Sequence, residues 1–186
     1  MKKALTIVGL FIGINATAQI ATSGTTNSGT NASAIGYQSS ATNTVSTAIG
    51  RETLASGVTS TAMGYQTSAT NTASTAMGNS STASGVTSTA IGNNSTASGE
   101  TSIAMGFETE ATDNASIAMG YQTTSTGGAS TAMGFITTAS GFGSTSIGYK
   151  TTASGNSSTA IGKNTIASDF GSLVIGQYNL IGHSNF

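Results

Sequence analysis

Ser88–Thr101 reads STAIGNNSTASGET, the next stretch, Ser102–Ala115, reads SIAMGFETEATDNA, and the one before, Ser74–Thr87, reads STAMGNSSTASGVT. The same 14-residue sentence is being rewritten. Its Ile/Met-Gly pair phases the whole chain: Ile35, Ile49, Met63, Met77, Ile91, Met105, Met119, Met133, Ile147, Ile161 and Ile175 are each followed by glycine, eleven copies without a slipped residue. A fixed period this short is the mark of a solenoid, whose units cannot bury their own surface and do so by stacking on their neighbours. The 186 residues therefore read as one rod rather than one globule.

Composition narrows the function. Charged residues are 6% of the chain and the formal net charge is −1. After the N-terminal segment the only basic residues besides His183 are Arg51, Lys150 and Lys163, too few and too scattered for a phosphate backbone, so nucleic acid is not expected as a partner. Disorder is disfavoured as well, because disordered chains pair low hydrophobicity with high net charge and proline, and this chain has no proline. Proline would remove a donor from a ladder of stacked strands. There is no cysteine, which excludes disulfides and thiolate-bound metal.

The N-terminus carries an address. Lys2 and Lys3 precede the apolar run Ala4–Ile14, and Ala16 and Ala18 stand at the small-residue positions before Gln19. This pattern reads as a secretory signal peptide over residues 1–18, since a membrane-spanning helix would need about 20 apolar residues. Residues 19–31 read as a polar lead-in or degenerate coil, and 32–186 as the repeat domain. No transmembrane helix is expected in the mature chain.

One repeat can be numbered from Ser88 as position 1 to Thr101 as position 14. Position 5 is always glycine: Gly36, Gly50, Gly64, Gly78, Gly92, Gly106, Gly120, Gly134, Gly148, Gly162 and Gly176. Position 12 is Gly, Asn or Asp in every copy but the last, which has His183. These residues tolerate the left-handed backbone of tight turns, so positions 5 and 12, seven apart, are the expected turns, with a short strand before each. Helix is opposed by the glycines and the β-branched threonines. The expected fold is all-β, a parallel β-roll of about eleven 14-residue coils and two sheets, about 50 Å long at the usual strand spacing.

Alternation along a strand then sorts the faces. Positions 3 and 10 are alanine in nine copies each, which suggests the inside of a thin roll. Positions 1 and 8, nearly all Ser or Thr, would also point in and need hydrogen-bond partners. Position 4 would point out, a ladder of eleven Ile or Met, joined at position 2 by threonine methyls, Ile103, Ile117 and Leu173. A stripe of that length exceeds what a soluble monomer exposes, and further copies of the chain are the simplest cover for it. The alternative is that Ile and Met fill the roll.

The motifs SIAMG (Ser102–Gly106) and STAIG (Ser88–Gly92), followed by xxTxASG at a period of 14, resemble the YadA-like head repeats of trimeric autotransporter adhesins. The resemblance runs from Ala32 to about His183. It implies a left-handed parallel β-roll, three of which associate along the rod axis, in agreement with the position-4 ladder read above as a surface covered by further copies, displayed at the bacterial surface or outer membrane and acting in adhesion. It further implies an extracellular protein or glycan as ligand. Such proteins usually continue through a neck and stalk into a membrane β-barrel. This sequence stops at LVIGQYNLIGHSNF, its most apolar coil, which reads as a junction to something further, a truncated C-terminus, or as an end cap.

No enzyme and no cofactor are expected. His183, the only histidine, has no triad or ligand partner nearby in sequence, and Glu108, Glu110 and Asp113 read as a solvated acidic patch rather than a metal site. Aromatic residues recur at position 6, namely Tyr37, Tyr65, Phe107, Tyr121, Phe135 and Tyr149, as a discontinuous ladder at the roll edge. Two other functions fit the same fold: a structural spacer or fibre module, and an ice-binding β-solenoid built on threonine rows. Position 9 interrupts such rows with Leu54, Glu110, Ile166 and Leu180.

Overall fold

The computed structural model describes residues 23–179. The signal-peptide segment and His183 lie outside the described residues.

Each coil contributes one strand of five residues and one of two, as in Thr89–Asn93 and Thr96–Ala97. The five-residue strands form one eleven-stranded parallel sheet and the two-residue strands another, each strand pairing with its counterpart one coil away. Register is that of the repeat: Ala90 lies beside Ala76 and Ala104, Ile91 beside Met77 and Met105, Gly92 beside Gly78 and Gly106. Like therefore stacks on like, and the parallel β-solenoid expected from the period is the fold observed. The roll also begins earlier than the first clear repeat, because Thr26–Asn27 pairs with Ser40–Ala41 and supplies half a coil from within the lead-in. No helix among the described residues is long and apolar enough to cross a membrane.

The core is very thin. Alanines of positions 3 and 10, from Ala41 to Ala160, are fully enclosed, and the largest fully buried side chains among the described residues are threonines. The hydroxyls sealed in with them fall into two groups. Serines at position 1 reach back across the turn, Ser88 Oγ donating to the Gly85 carbonyl at 2.8 Å and Ser102 Oγ to that of Gly99 at 2.7 Å. Serines at position 8 donate instead to the next coil's position-5 carbonyl, as Ser81 does to Gly92 at 3.0 Å. Most threonines of position 8 are different: Thr53, Thr67, Thr123, Thr137 and Thr165 have no partner for Oγ1, while Thr109 Oγ1 donates to Ser95 Oγ at 3.0 Å and Thr151 Oγ1 pairs with Ser146 Oγ at 2.7 Å. The expectation that every inward hydroxyl must be bonded thus fails at these threonines, and at Ser144 and Ser172 of position 1 as well.

A pair of substitutions separates the two groups. Ser102→Ala deletes a made hydrogen bond and is expected to destabilise by about 1 kcal/mol, whereas Thr123→Val keeps the shape, removes an unpaired buried hydroxyl and is expected to be neutral or stabilising by about 1 kcal/mol. Urea unfolding midpoints of the two variants read this directly. Equal losses would mean that the Thr123 hydroxyl is bonded after all.

Of the two turns expected at glycine-rich positions, the one at position 12 is found and the one at position 5 is not. Gly36, Gly50, Gly64, Gly78, Gly92, Gly106, Gly120, Gly134, Gly148, Gly162 and Gly176 stand inside the five-residue strands, as their fourth residue, with φ between 116° and 137°. A Cβ on Gly106 would overlap the carbonyl oxygen of Gly120, so close approach of adjacent coils, together with that φ, is what demands glycine here. The left-handed residues lie at positions 7 and 14, exemplified by Glu108 (φ 50°) and Thr101 (φ 57°), and they include the β-branched Val45, Thr59, Thr87 and Ile136. Position 12 opens a turn closed by position 1, with Ser88 N–H donating to the Gly85 carbonyl at 3.2 Å. At Gly99 too a Cβ would overlap the next coil, at the Asp113 carbonyl oxygen.

Candidate interaction surface

Because positions 3 and 5 of the long strand turn inward or toward the neighbouring coil, positions 2, 4 and 6 share its outer face. The repeated burial pattern shows it: in Thr75–Asn79 and Thr89–Asn93 the alanine is buried while threonine and Met77 or Ile91 are half-buried. Ile and Met do not fill the roll. Ile35, Ile49, Met63, Met77, Ile91, Met105, Met119, Met133, Ile147 and Ile161 form one half-buried outward column, and Ile175 at its end is 67% exposed.

This face is richest where three columns coincide. The strands Ile103–Phe107, Ile117–Tyr121 and Thr131–Phe135 set Ile103 and Ile117, then Met105, Met119 and Met133, then Phe107, Tyr121 and Phe135 side by side. The opposite sheet is polar. Its outward position 9 carries Thr82, Thr96, Thr124, Thr138 and Thr152, but Leu54, Glu110 and Ile166 interrupt the row.

Along the edge of the apolar face the position-6 rings stack. Centroid separations are 4.9 Å for Phe107 and Tyr121, 4.8 Å for Tyr121 and Phe135, and 5.2 Å for Phe135 and Tyr149, with planes within 7° of parallel. Aromatic pairs at this distance contribute about 0.5–1.5 kcal/mol each beyond burial. The ladder does not run unbroken to Tyr37 and Tyr65, yet those two rings are joined: the Arg51 guanidinium lies between them, 5.8 Å from one centroid and 5.3 Å from the other. At the other end Lys163 lies 5.9 Å from the Tyr149 ring and 5.4 Å from that of Tyr178. Hydrogen bonding to Lys163, then to Gln177, holds the Tyr178 phenol below its usual pKa. Sequence reasoning assigned no part to Arg51 or Lys163. Their occupancy of the aromatic column was the available signal.

Glu108 and Glu110 line an open groove of about 360 Å³ with Asn94, Thr96 and Thr109, and Asp113 is not among its walls. No three His, Cys, Asp or Glu side chains among the described residues converge as a metal-binding group.

The family model for the YadA head domain repeat matches residues 28–53, 55–81, 83–109, 111–135 and 139–165. The chain belongs to the YadA head family. No curated protein matches it. As a YadA head it contributes the repeat surface just described, an apolar face on one sheet and a hydroxyl-rich face on the other, with the match spanning both in five consecutive blocks.

Proposed function

We propose that this chain is the exported head of a cell-surface adhesin, non-enzymatic and without a cofactor, in which three copies associate through the outward Ile/Met column. The observation that carries this reading is the uninterrupted apolar column along all eleven long strands, half-buried in the single chain everywhere but at Ile175. A contiguous apolar strip of that length needs a covering surface, and a cyclic assembly of identical rods covers it along its whole length. Family membership supports the same arrangement, since YadA heads are trimeric. The trimer leaves the Ser/Thr-rich sheet outward, where weak contacts with an extracellular protein or glycan repeat every coil and add through multivalency.

Size exclusion with light scattering tests it. The wild type should run at three times the mass of one chain, and the variant carrying both Met105→Lys and Met119→Lys should run as a single chain while keeping its β circular dichroism. A folded wild-type monomer would overturn the reading.

A further inference from the structure

The ring ladder from Phe107 to Tyr149 has no function in the reading above. The rings cover one another's faces, so a sugar has no free π-face to stack on within the run; what remains, with each ring 37–40% exposed, is a row of ring edges. Directly beside the two end rings, at position 7, stand Glu108 and Lys150. Neither has an ionic partner: among the described residues the single ion pair is Arg51 with Glu52. Glu108 accepts a hydrogen bond from Gln122 Nε2 at 2.7 Å, and Lys150 rests over the Tyr149 ring at 5.4 Å. Three coils separate the two charges, about 14 Å along the rod, too far for them to meet each other.

We propose that this corner docks a second copy of the chain, antiparallel, about a two-fold axis midway along the ladder. The axis lies between the Tyr121 and Phe135 coils and perpendicular to both rods. It sets Phe107 against the partner's Tyr149 and Tyr121 against the partner's Phe135, each pairing occurring twice. The same operation sets Glu108 against the partner's Lys150, also twice, which is the self-complementarity an isologous contact requires. One coil further out it sets Asn93 opposite the partner's Lys163 and Asn94 opposite the partner's Asn164, with no like charges facing.

Other registers are worse. A parallel two-fold places glutamate on glutamate and lysine on lysine, and moving the antiparallel axis by half a coil either way sets Glu108 against the partner's Ile136 or the partner's Asn164. Charge arrangement therefore chooses both direction and register, as charges at interfaces commonly do. The contact spans only four coils and one edge of the sheet, so it is a weak contact that counts when many heads are presented together. It does not depend on the trimer: single chains would close into dimers, and trimers, each carrying three such edges, would pair into hexamers as the first step of a longer association.

Sedimentation velocity over a concentration series, up to the millimolar range and at low salt, tests it on the wild-type protein. The expected result is a doubling of whatever mass is found at low concentration, as the end point for single chains and as the first step for trimers. Glu108→Lys alone and Lys150→Glu alone should each weaken the doubling at least about tenfold by facing like charges, and the variant with both changes should restore it. Position 7 already holds glutamate at Glu52 and lysine at Lys150 in the same backbone conformation, so the fold accepts either residue. Absence of doubling in the wild type, or doubling untouched by the single reversals, or a double variant that stays dissociated, overturns the proposal. The low-concentration mass reports separately on the trimer.

Discussion

Gly106→Ala should break the rod at its centre. The added methyl would overlap the carbonyl oxygen of Gly120 in the next coil, and φ at Gly106 is 137°, where an L side chain is strained. Neither contact partner is a flexible side chain that could move aside; both are backbone held in the same ladder. The two costs together come to at least about 3 kcal/mol. Gly176→Ala supplies the internal control, since φ there is 132° but nothing lies within 4 Å of the added carbon. It carries the strain without the overlap and should lose about 1–2 kcal/mol. Thermal unfolding followed by circular dichroism separates the two variants, and proteolysis of the Gly106 variant should cut near the middle of the chain. Equal melting temperatures for both would show that coil-to-coil approach does not restrict position 5.

Ala118→Leu is the second severe change. Ala118 is fully enclosed in a core where, among the described residues, nothing larger than threonine is fully buried. Its neighbours along the rod, Ala104 and Ala132, are in strict register with it, so they cannot shift without shifting their own coils. Three extra carbon atoms must then push the two sheets apart. Overpacking in ordinary cores costs about 1–3 kcal/mol because neighbouring rotamers adjust; alanine has no rotamer to adjust, so a loss at or above the top of that range is expected. Chemical unfolding of Ala118→Leu beside Met119→Leu reads the difference between inward and outward positions one residue apart. Met119→Leu conserves volume on the outer face and should lose less than about 1 kcal/mol. If both behave alike, the assignment of faces is wrong.

The period, the two sheets and the side of the sheet on which each column lies were legible in the residues because alternation converts a repeat directly into faces. Ala90 and Ala97 inside, Ile91 outside and Ser88 pointing inward all follow from that one rule. What was not legible is the position of the first reversal, since the turn at position 12 was expected and is found. Glycine at position 5 looked like a turn because glycine is the usual left-handed residue, whereas here it answers to the neighbouring coil's carbonyl oxygen. Most of the true left-handed positions carry residues such as Gln38, Val45, Glu52 and Thr59, with no preference for that backbone, and only a few carry Asn or Gly, as Asn94 and Gly143 do. Stacking overrides local propensity, since each such residue is held by bonds to the coil before it, as Glu108 N–H is to the Asn93 carbonyl at 2.8 Å. The aromatic column was visible at Tyr37, Tyr65 and Phe107 to Tyr149, but the bridging of Tyr37 and Tyr65 by Arg51 was not, because a lone cation in a sparse column carries no signature of its own.

The one-coil register has a mechanical consequence. Every inter-strand hydrogen bond runs along the rod, so tension applied between its two ends loads them in series and opens the coil nearest the grip first. Each coil that peels away exchanges a rise of about 4.8 Å for 14 residues of extended chain, a gain of roughly 40 Å. Under flow the rod would lengthen stepwise at nearly constant force, and a bond held at its tip would feel the pull of one coil's ladder rather than the full drag.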